Sequence, residues 1–190
     1  LRIWIDTDIG SDVDDALALG YALRHPKVEI VLVSTVFGDV ALRSRIAEAV
    51  LERAGAEETP VITGLSAPLS PGRERRMFGH EGIGLFAEPA PRMVTKQDED
   101  PRGRVEAMAH ALEQTQPDAV LAIGPMTNLG ALVEAGVALP PVTVMGGKTT
   151  EVLHPGMIKR SRSGTGTATR SPCSASFKPT GHRLAWCLAR

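Results

Sequence analysis

Five aspartates, Asp6, Asp8, Asp12, Asp14 and Asp15, fall within ten consecutive positions of the segment WIDTDIGSDVDDALAL (4–19). Carboxylates this close repel one another, and ionisation is disfavoured unless a positive charge stands among them. Hard divalent cations such as Ca²⁺ and Mg²⁺ take oxygen ligands, so a carboxylate-rich loop after a strand suits such an ion. Helix capping explains part of the pattern: Asp12 or Asp14 could cap a helix starting near Asp15, and acidic side chains suit the positive end of its dipole. Capping employs one or two of the five. The remainder point to a metal or substrate site.

The elements that must position these residues follow from the spacing of apolar side chains. A short β-rich run from Arg2 to Ile5 ends at Asp6, and DDALALGYALRHP (14–26) has helical spacing closed by Pro26. VEIVLVSTVFG (28–38) reads as a buried strand ending in Gly38, VALRSRIAEAVLERAGA (40–56) as an amphipathic helix stopped by Gly55, and PVITG (60–64) as a third strand. A polar stretch rich in proline, glycine and arginine follows from Ser66 to Pro101, with the island MFGHEGIGLF (77–86) inside it. A helix over 104–115, a strand over 118–124, a helix over 126–136 and a strand over 142–147 complete the pattern. Apolar strands alternating with helices predict an α/β fold, a mostly parallel sheet with helices on both faces and a Rossmann-like core. Working residues of such sheets lie beyond the carboxyl ends of the strands, where Asp6, Asp39, Gly64, Pro125 and Gly146 all fall.

The composition narrows the function classes. Apolar residues make up 43% and charged residues 23%, as in an ordinary globular domain. Aromatics at 4% offer few stacking platforms for single-stranded nucleic acid, and a net charge of -1 gives no general attraction to DNA or an anionic membrane. No apolar stretch is long enough to span a bilayer, and the chain enters a strand at once without a visible signal peptide. Cys173 and Cys187 form neither metal-ligand spacing nor a disulfide framework. The expectation is a soluble, cytoplasmic protein that binds neither nucleic acid nor membrane. The average conceals a change along the chain, because residues 1–151 hold all 22 acidic side chains and 14 of the 21 basic ones. From Val152 to Arg190 seven Lys or Arg stand with no Asp or Glu. A boundary is therefore expected near residue 155, with an α/β domain over 1–155 and an atypical basic tail over 156–190 that reads as disordered or non-homologous.

Four ordered motifs resemble the inosine-uridine preferring nucleoside hydrolase family. DTDIGSDVDDALAL is similar to its first-strand loop, Asp-x-Asp-x-Gly followed by Asp-Asp-Ala. TVFGDV (35–40) resembles the second-strand motif, GHEGIGL (79–85) the His-Gly-rich segment near the base, and IGPMTNLG (123–130), with VMGG (144–147) after it, the Gly-Pro-Leu-Thr-Asn segment. The resemblance implies Ca²⁺-dependent hydrolysis of the N-glycosidic bond of ribonucleosides, small molecules cleaved to ribose and free base. It implies Asp8 as a calcium ligand and general base on the water held by that ion, Asp15 as a second ligand and Thr127 as a third through its backbone carbonyl. Asp14 and Asp39 would accept hydrogen bonds from ribose hydroxyls, Asp6 would orient the loop, and His80 would protonate or steady the departing base. Carboxylates suit an oxocarbenium-like transition state, and a bound cation activates water and orients hydroxyls. A homodimer or homotetramer is the expected assembly.

This chain departs from the family pattern at three places. SDVDD carries two residues more than the common motif between the glycine and the aspartate pair, so Asp12 competes with Asp14 for the matching register. Asp39 stands where many members have Asn, which bears on base and sugar preference. Members are considerably longer, with an Asp-Pro-Glu-Ala segment and a late His-Asp pair, and MIKRSRSGTGTATRSPCSASFKPTGHRLAWCLAR (157–190) contains neither. Its composition fits translation in a shifted reading frame. Two other readings are set beside the hydrolase. A haloacid-dehalogenase-like phosphatase would use Asp6 as nucleophile and Asp8 as acid, and a catalytically inactive fragment would bind calcium and nucleoside without turnover.

Overall fold

A computed structural model of the chain describes residues 1–70, 72, 77–86 and 100–146. The expectations for the tail over 156–190, its reading frame, Cys173 and Cys187 lie outside the described residues, as does 87–99 within the polar stretch. Among the described residues nine elements follow in order: β1 (Arg2–Thr7), α1 (Val13–Arg24), β2 (Glu29–Thr35), α2 (Val40–Ala54), β3 (Val61–Thr63), α3 (Pro101–Thr115), β4 (Ala119–Ala122), α4 (Thr127–Glu134) and β5 (Val142–Val144). All strand pairs are parallel and the sheet order is β3-β2-β1-β4-β5. β1 and β2 are buried along almost their whole length, as central strands covered on both faces must be.

Each face has its own core. Ile3, Ile5 and Val33 turn to one side and pack with Leu19 of α1 and Ile46, Ala47 and Leu51 of α2. Trp4, Leu32, Val120 and Ala122 turn to the other and meet Met108 and Leu112 of α3 and Leu129 and Leu132 of α4. The alternation along β1 is the period of two that a strand imposes. Trp4 is fully buried, and its indole N–H donates to Ser34 Oγ at 2.8 Å, so its polar edge is satisfied inside the core. The crossover from edge strand β3 to β4 skips past β2 and β1. The chain thus reverses direction across the sheet between β1 and β4, and the crevice beyond their carboxyl ends is the usual ligand position of an open α/β sheet.

Local chemistry sets the boundaries, and several differ from the sequence expectation. α1 begins at Val13, ahead of the expected start near Asp15, with Asp12 at the cap position in extended backbone (φ -119°, ψ 166°). The Asp12 side chain makes no cap hydrogen bond, so neither aspartate weighed for capping serves that role by its carboxylate. α1 ends at Arg24 because His25 precedes Pro26 and takes the extended conformation that a following proline enforces. α2 stops at Gly55 in the left-handed region (φ 73°), as expected of that glycine. α3 begins three residues before the expected Arg104, because the Asp100 side chain accepts from the Gly103 amide at 2.8 Å and Pro101 suits a first helical turn. Among the described residues no helix is long and apolar enough to cross a membrane.

Candidate functional site

The loop leaving β1 carries the aspartates onto the rim at the chain reversal. Asp6 lies inside the sheet and is fully buried. Its Oδ1 accepts from the Ser34 hydroxyl of β2 and from Asn128 Nδ2 of α4, the latter at 2.7 Å. Its Oδ2 has no partner among the described residues. Burial pushes the Asp6 carboxyl up to about 7, the two hydrogen bonds oppose this, and the Asp8 charge adds to it. An engaged, enclosed carboxylate cannot present itself to a phosphate ester, which removes the nucleophile that the phosphatase reading requires. Asp15, also buried, accepts from the Thr7 hydroxyl at 2.5 Å, and the same hydroxyl accepts from the Ile9 amide at 3.1 Å. Burial raises the Asp15 carboxyl to about 6, with the Asp8 and Asp14 charges adding. Asp8 is half-buried, and burial raises it too, opposed chiefly by Arg43 and aided by Asp14 and Asp12.

Arg43 is a cation inside this acidic region that the sequence reading did not single out. It sits on the buried face of α2 with no exposed surface. Its Nε donates to the Phe37 carbonyl at 2.7 Å, Nη1 to the carbonyls of Asp8 and Ile9 (2.8 Å to Ile9), and Nη2 to Ser11 Oγ at 2.9 Å. Burial lowers its pKa, against the charges of Asp8, Glu81, Asp15 and Asp39. Asn128, also fully buried, was missed as well. Beyond its bond to Asp6, its Nδ2 donates to the Thr35 carbonyl at 3.0 Å and its Oδ1 accepts from the Leu65 amide at 2.8 Å. One side chain from α4 thereby joins the ends of β1 and β2 to the chain just after β3. Gly64 gives it room, since a Cβ there would lie 2.4 Å from Asn128 Nδ2.

The island 77–86 folds against the same loop. Glu81 is buried and accepts from the Phe78 amide at 2.9 Å, the Gly79 amide at 2.8 Å and the Ser11 hydroxyl at 3.1 Å. Burial acts to raise its carboxyl, but these donors outweigh it and hold Glu81 below the usual carboxylate range. His80 stacks on exposed Phe78 with ring centroids 5.6 Å apart, and its Nε2 lies 2.7 Å from the Ser11 carbonyl. A carbonyl can only accept, so that nitrogen carries hydrogen and Nδ1 is the one left to face a ligand.

The structure thus gathers Asp8, Asp14, Asp15 and His80 around one loop, with Asp12 and Asp14 exposed and Asp8 and Asp15 progressively enclosed. Asp39 is engaged at the start of α2, where its carboxylate caps the helix by accepting from the Leu42 amide at 2.9 Å. Thr127 opens α4 on the same rim, next to Asn128. The donor chemistry of Asp8 and Asp15 fits a hard cation: both offer carboxylate oxygens whose ionised forms are disfavoured chiefly by burial, with the Asp14 charge adding at both and the Asp8 charge at Asp15. Among the described residues, no three His, Cys, Asp or Glu side chains come together in an arrangement that could hold a metal ion. The fit is therefore one of donor type, with two carboxylates in place.

Comparison with known proteins places the chain among nucleoside hydrolases in sequence and fold. The family model of inosine-uridine preferring nucleoside hydrolases matches residues 3–170. The chain is 34% identical over 139 residues to the probable uridine nucleosidase 1 of Oryza sativa subsp. japonica, covering 70% of this chain and 41% of that protein. It is 32% identical over 139 residues to uridine nucleosidase 1 of Arabidopsis thaliana, covering 70% of this chain and 40% of the relative. The solved plant nucleoside hydrolase PpNRh1 superposes with a TM-score of 0.56 at 26% identity, over 77% of this chain and 48% of that one. The chain spans less than half the length of each.

Proposed function

The chain belongs to the inosine-uridine preferring nucleoside hydrolase family, and from that premise we propose that it hydrolyses the N-glycosidic bond of ribonucleosides with the help of a divalent cation, which the family resemblance implies is calcium and which oxygen donors suit. The observation that supports this reading is the acid loop at the chain reversal, which brings Asp8, Asp14 and Asp15 together beyond the strand ends, with burial raising the carboxyls of Asp8 and Asp15. Asp8, Asp15 and the Thr127 carbonyl would hold the ion. Bound there, it supplies positive charge that favours deprotonation of water and orients hydroxyl oxygens.

The chain's own residues do the rest. Asp8, its carboxyl raised by burial and reachable from solvent, takes the proton of the attacking water. Exposed Asp14 accepts from a ribose hydroxyl, and Asp39 offers its remaining carboxylate oxygen to the sugar while its other oxygen caps α2. Negative charge from this set stabilises the positive ribose ring of the transition state. His80, held by the Ser11 carbonyl, would protonate or steady the departing base. The test is ribose release from uridine and inosine by the purified chain, with calcium and with chelator. Calcium-dependent release that falls at least about a hundredfold in Asp8→Asn supports the assignment of base and ion. Nucleoside binding by calorimetry without release at any calcium concentration overturns the hydrolytic reading in favour of a binding protein.

A further inference from the structure

We propose that Arg43 is a positioning residue that sets the place of the Asp8 carboxylate and, through Ser11 and Glu81, couples the acid loop to the segment 77–86. The inference rests on the reading of Asp8 as the base. All three guanidinium nitrogens are engaged, and their acceptors lie on two separate strand-end loops: Phe37 after β2, and Asp8, Ile9 and Ser11 after β1. Phe37 holds a φ of 71°, in the left-handed region that non-glycine residues seldom adopt, and its carbonyl receives Arg43 Nε. The Arg43 ring contact with Phe37, at 5.4 Å to the centroid, pins the same residue from its side chain. Gly10 lets the loop close over α2, because a Cβ there would lie 2.6 Å from Ile46 Cδ1.

Ser11 transmits this grip in one direction. Its hydroxyl oxygen accepts from Arg43 Nη2 at 2.9 Å, and its hydrogen goes to Glu81 Oε1 at 3.1 Å. Glu81 spends its remaining capacity on the amides of Phe78 and Gly79, and the Ser11 carbonyl takes His80 Nε2. The series Arg43, Ser11, Glu81, Phe78–Gly79 therefore links the carbonyl of Asp8 to the segment that carries His80. Two features separate this from general core stabilisation. The bonds end on the backbone of Asp8 itself, and they need a planar fork with donors on three nitrogens, which the single ammonium of lysine cannot reproduce.

Amide hydrogen exchange of the full chain, wild type and Arg43→Lys, Ser11→Ala and Glu81→Gln, tests the coupling. R43K should speed exchange by about tenfold or more in both 8–11 and 77–86, while β2 and α3 keep their protection. S11A, at a partly exposed position, should free 77–86 with the β1–β2 core unchanged. E81Q should do the same at Phe78 and Gly79. In ribose release, R43K should lower kcat by about tenfold or more with KM held within about threefold, the mark of a misplaced base. Exchange that rises evenly across the chain in R43K, or 77–86 as protected in S11A as in wild type, overturns the proposal, as does a loss carried by KM. A wild-type chain without ribose release overturns the hydrolase reading instead, and the exchange results still decide the coupling.

Discussion

Asn128 makes the sharpest claim about what holds the site together, because a single amide serves three partners in a fully buried place. In Asn128→Ala the Leu65 amide loses its acceptor at 2.8 Å, Asp6 Oδ1 loses one of two donors, and the Thr35 carbonyl keeps only the Gly64 amide at 3.0 Å. A buried donor left unmatched costs about 1–3 kcal/mol, and above about pH 7, where the Asp6 carboxyl is mostly ionised, a hydrogen bond to a charged group contributes about 1.5–3 kcal/mol. The Thr35 carbonyl, still partnered, adds little. Allowing for partial relaxation, the expected loss is about 3–5 kcal/mol, a large share of the roughly 5–15 kcal/mol that a domain has in total.

Urea unfolding at 25 °C followed by circular dichroism measures this loss by linear extrapolation. An exposed pair supplies the comparison. Arg102 Nε lies 2.9 Å from Glu106 Oε1 with both side chains largely in solvent, so Arg102→Ala should shift stability by less than about 0.5–1 kcal/mol. Asn128→Asp keeps the volume and the acceptor for Leu65 but sets an oxygen against Asp6 Oδ1 and the Thr35 carbonyl, so its loss should equal or exceed that of the alanine variant. If Asn128→Ala costs under about 1 kcal/mol, no more than the exposed pair, the tie between strand ends is not what stabilises this rim and the reasoning fails.

Glu81, held below the usual carboxylate range by its amide and hydroxyl donors, gives stability that is present above the ordinary value near 4.5 and is lost as pH falls through its folded value. The urea midpoint should therefore drop on acidification below about pH 4.5, and Glu81→Gln should flatten that part of the profile; an unchanged acid limb would count against the Ser11–Glu81 contact. Gly124→Ala would place a Cβ 2.8 Å from the Asp8 amide nitrogen and 2.7 Å from Val36 Cγ1. The backbone of the acid loop cannot yield as a flexible side chain would, so a loss of about 1–3 kcal/mol is expected, with exchange at 7–9 rising first. A Gly124→Ala variant as stable as wild type would mean that the β4 end does not press on this loop. Thr7→Val removes the hydroxyl shared by Asp15 and the Ile9 amide, and should cost about 1–3 kcal/mol by the same unfolding assay, while a neutral effect would show that Asp15 is held by other means.

What the sequence made legible was whatever depends on neighbours along the chain. The apolar run EIVLVST, the stop at Gly55 and the proline after His25 each act locally, so β2 and the ends of α1 and α2 fall within a few residues of expectation. The alternation of strands and helices gave the parallel sheet, and the carboxyl-end rule placed the aspartates on one rim. The register was harder where a cap decided it. Asp100 starts α3 early because its carboxylate meets the Gly103 amide, a contact that hydrophobic spacing cannot signal.

The residues that were not legible are those whose meaning comes from elsewhere in the fold. Asn128 stands in the motif IGPMTNLG, which marks the segment but not the task of this side chain, and nothing near it in sequence says that Asp6, Thr35 and Leu65 converge on it from as far as 122 residues away. Arg43 left more of a trace. Val40, Ala47 and Leu51 mark the buried stripe of α2, and Arg43 lies on it, three residues after Val40 and four before Ala47. A lone guanidinium on an apolar stripe must find acceptors or charge partners, since burial of an unpaired charge is prohibitive. Five aspartates shortly upstream were the obvious place to seek them. The crowding of carboxylates asked for a positive charge, and the fold supplies one from the chain itself: Arg43 grips the backbone of the loop. An acidic cluster and a misplaced basic residue on a neighbouring helix therefore form one signal, and reading either alone misses how the loop is held.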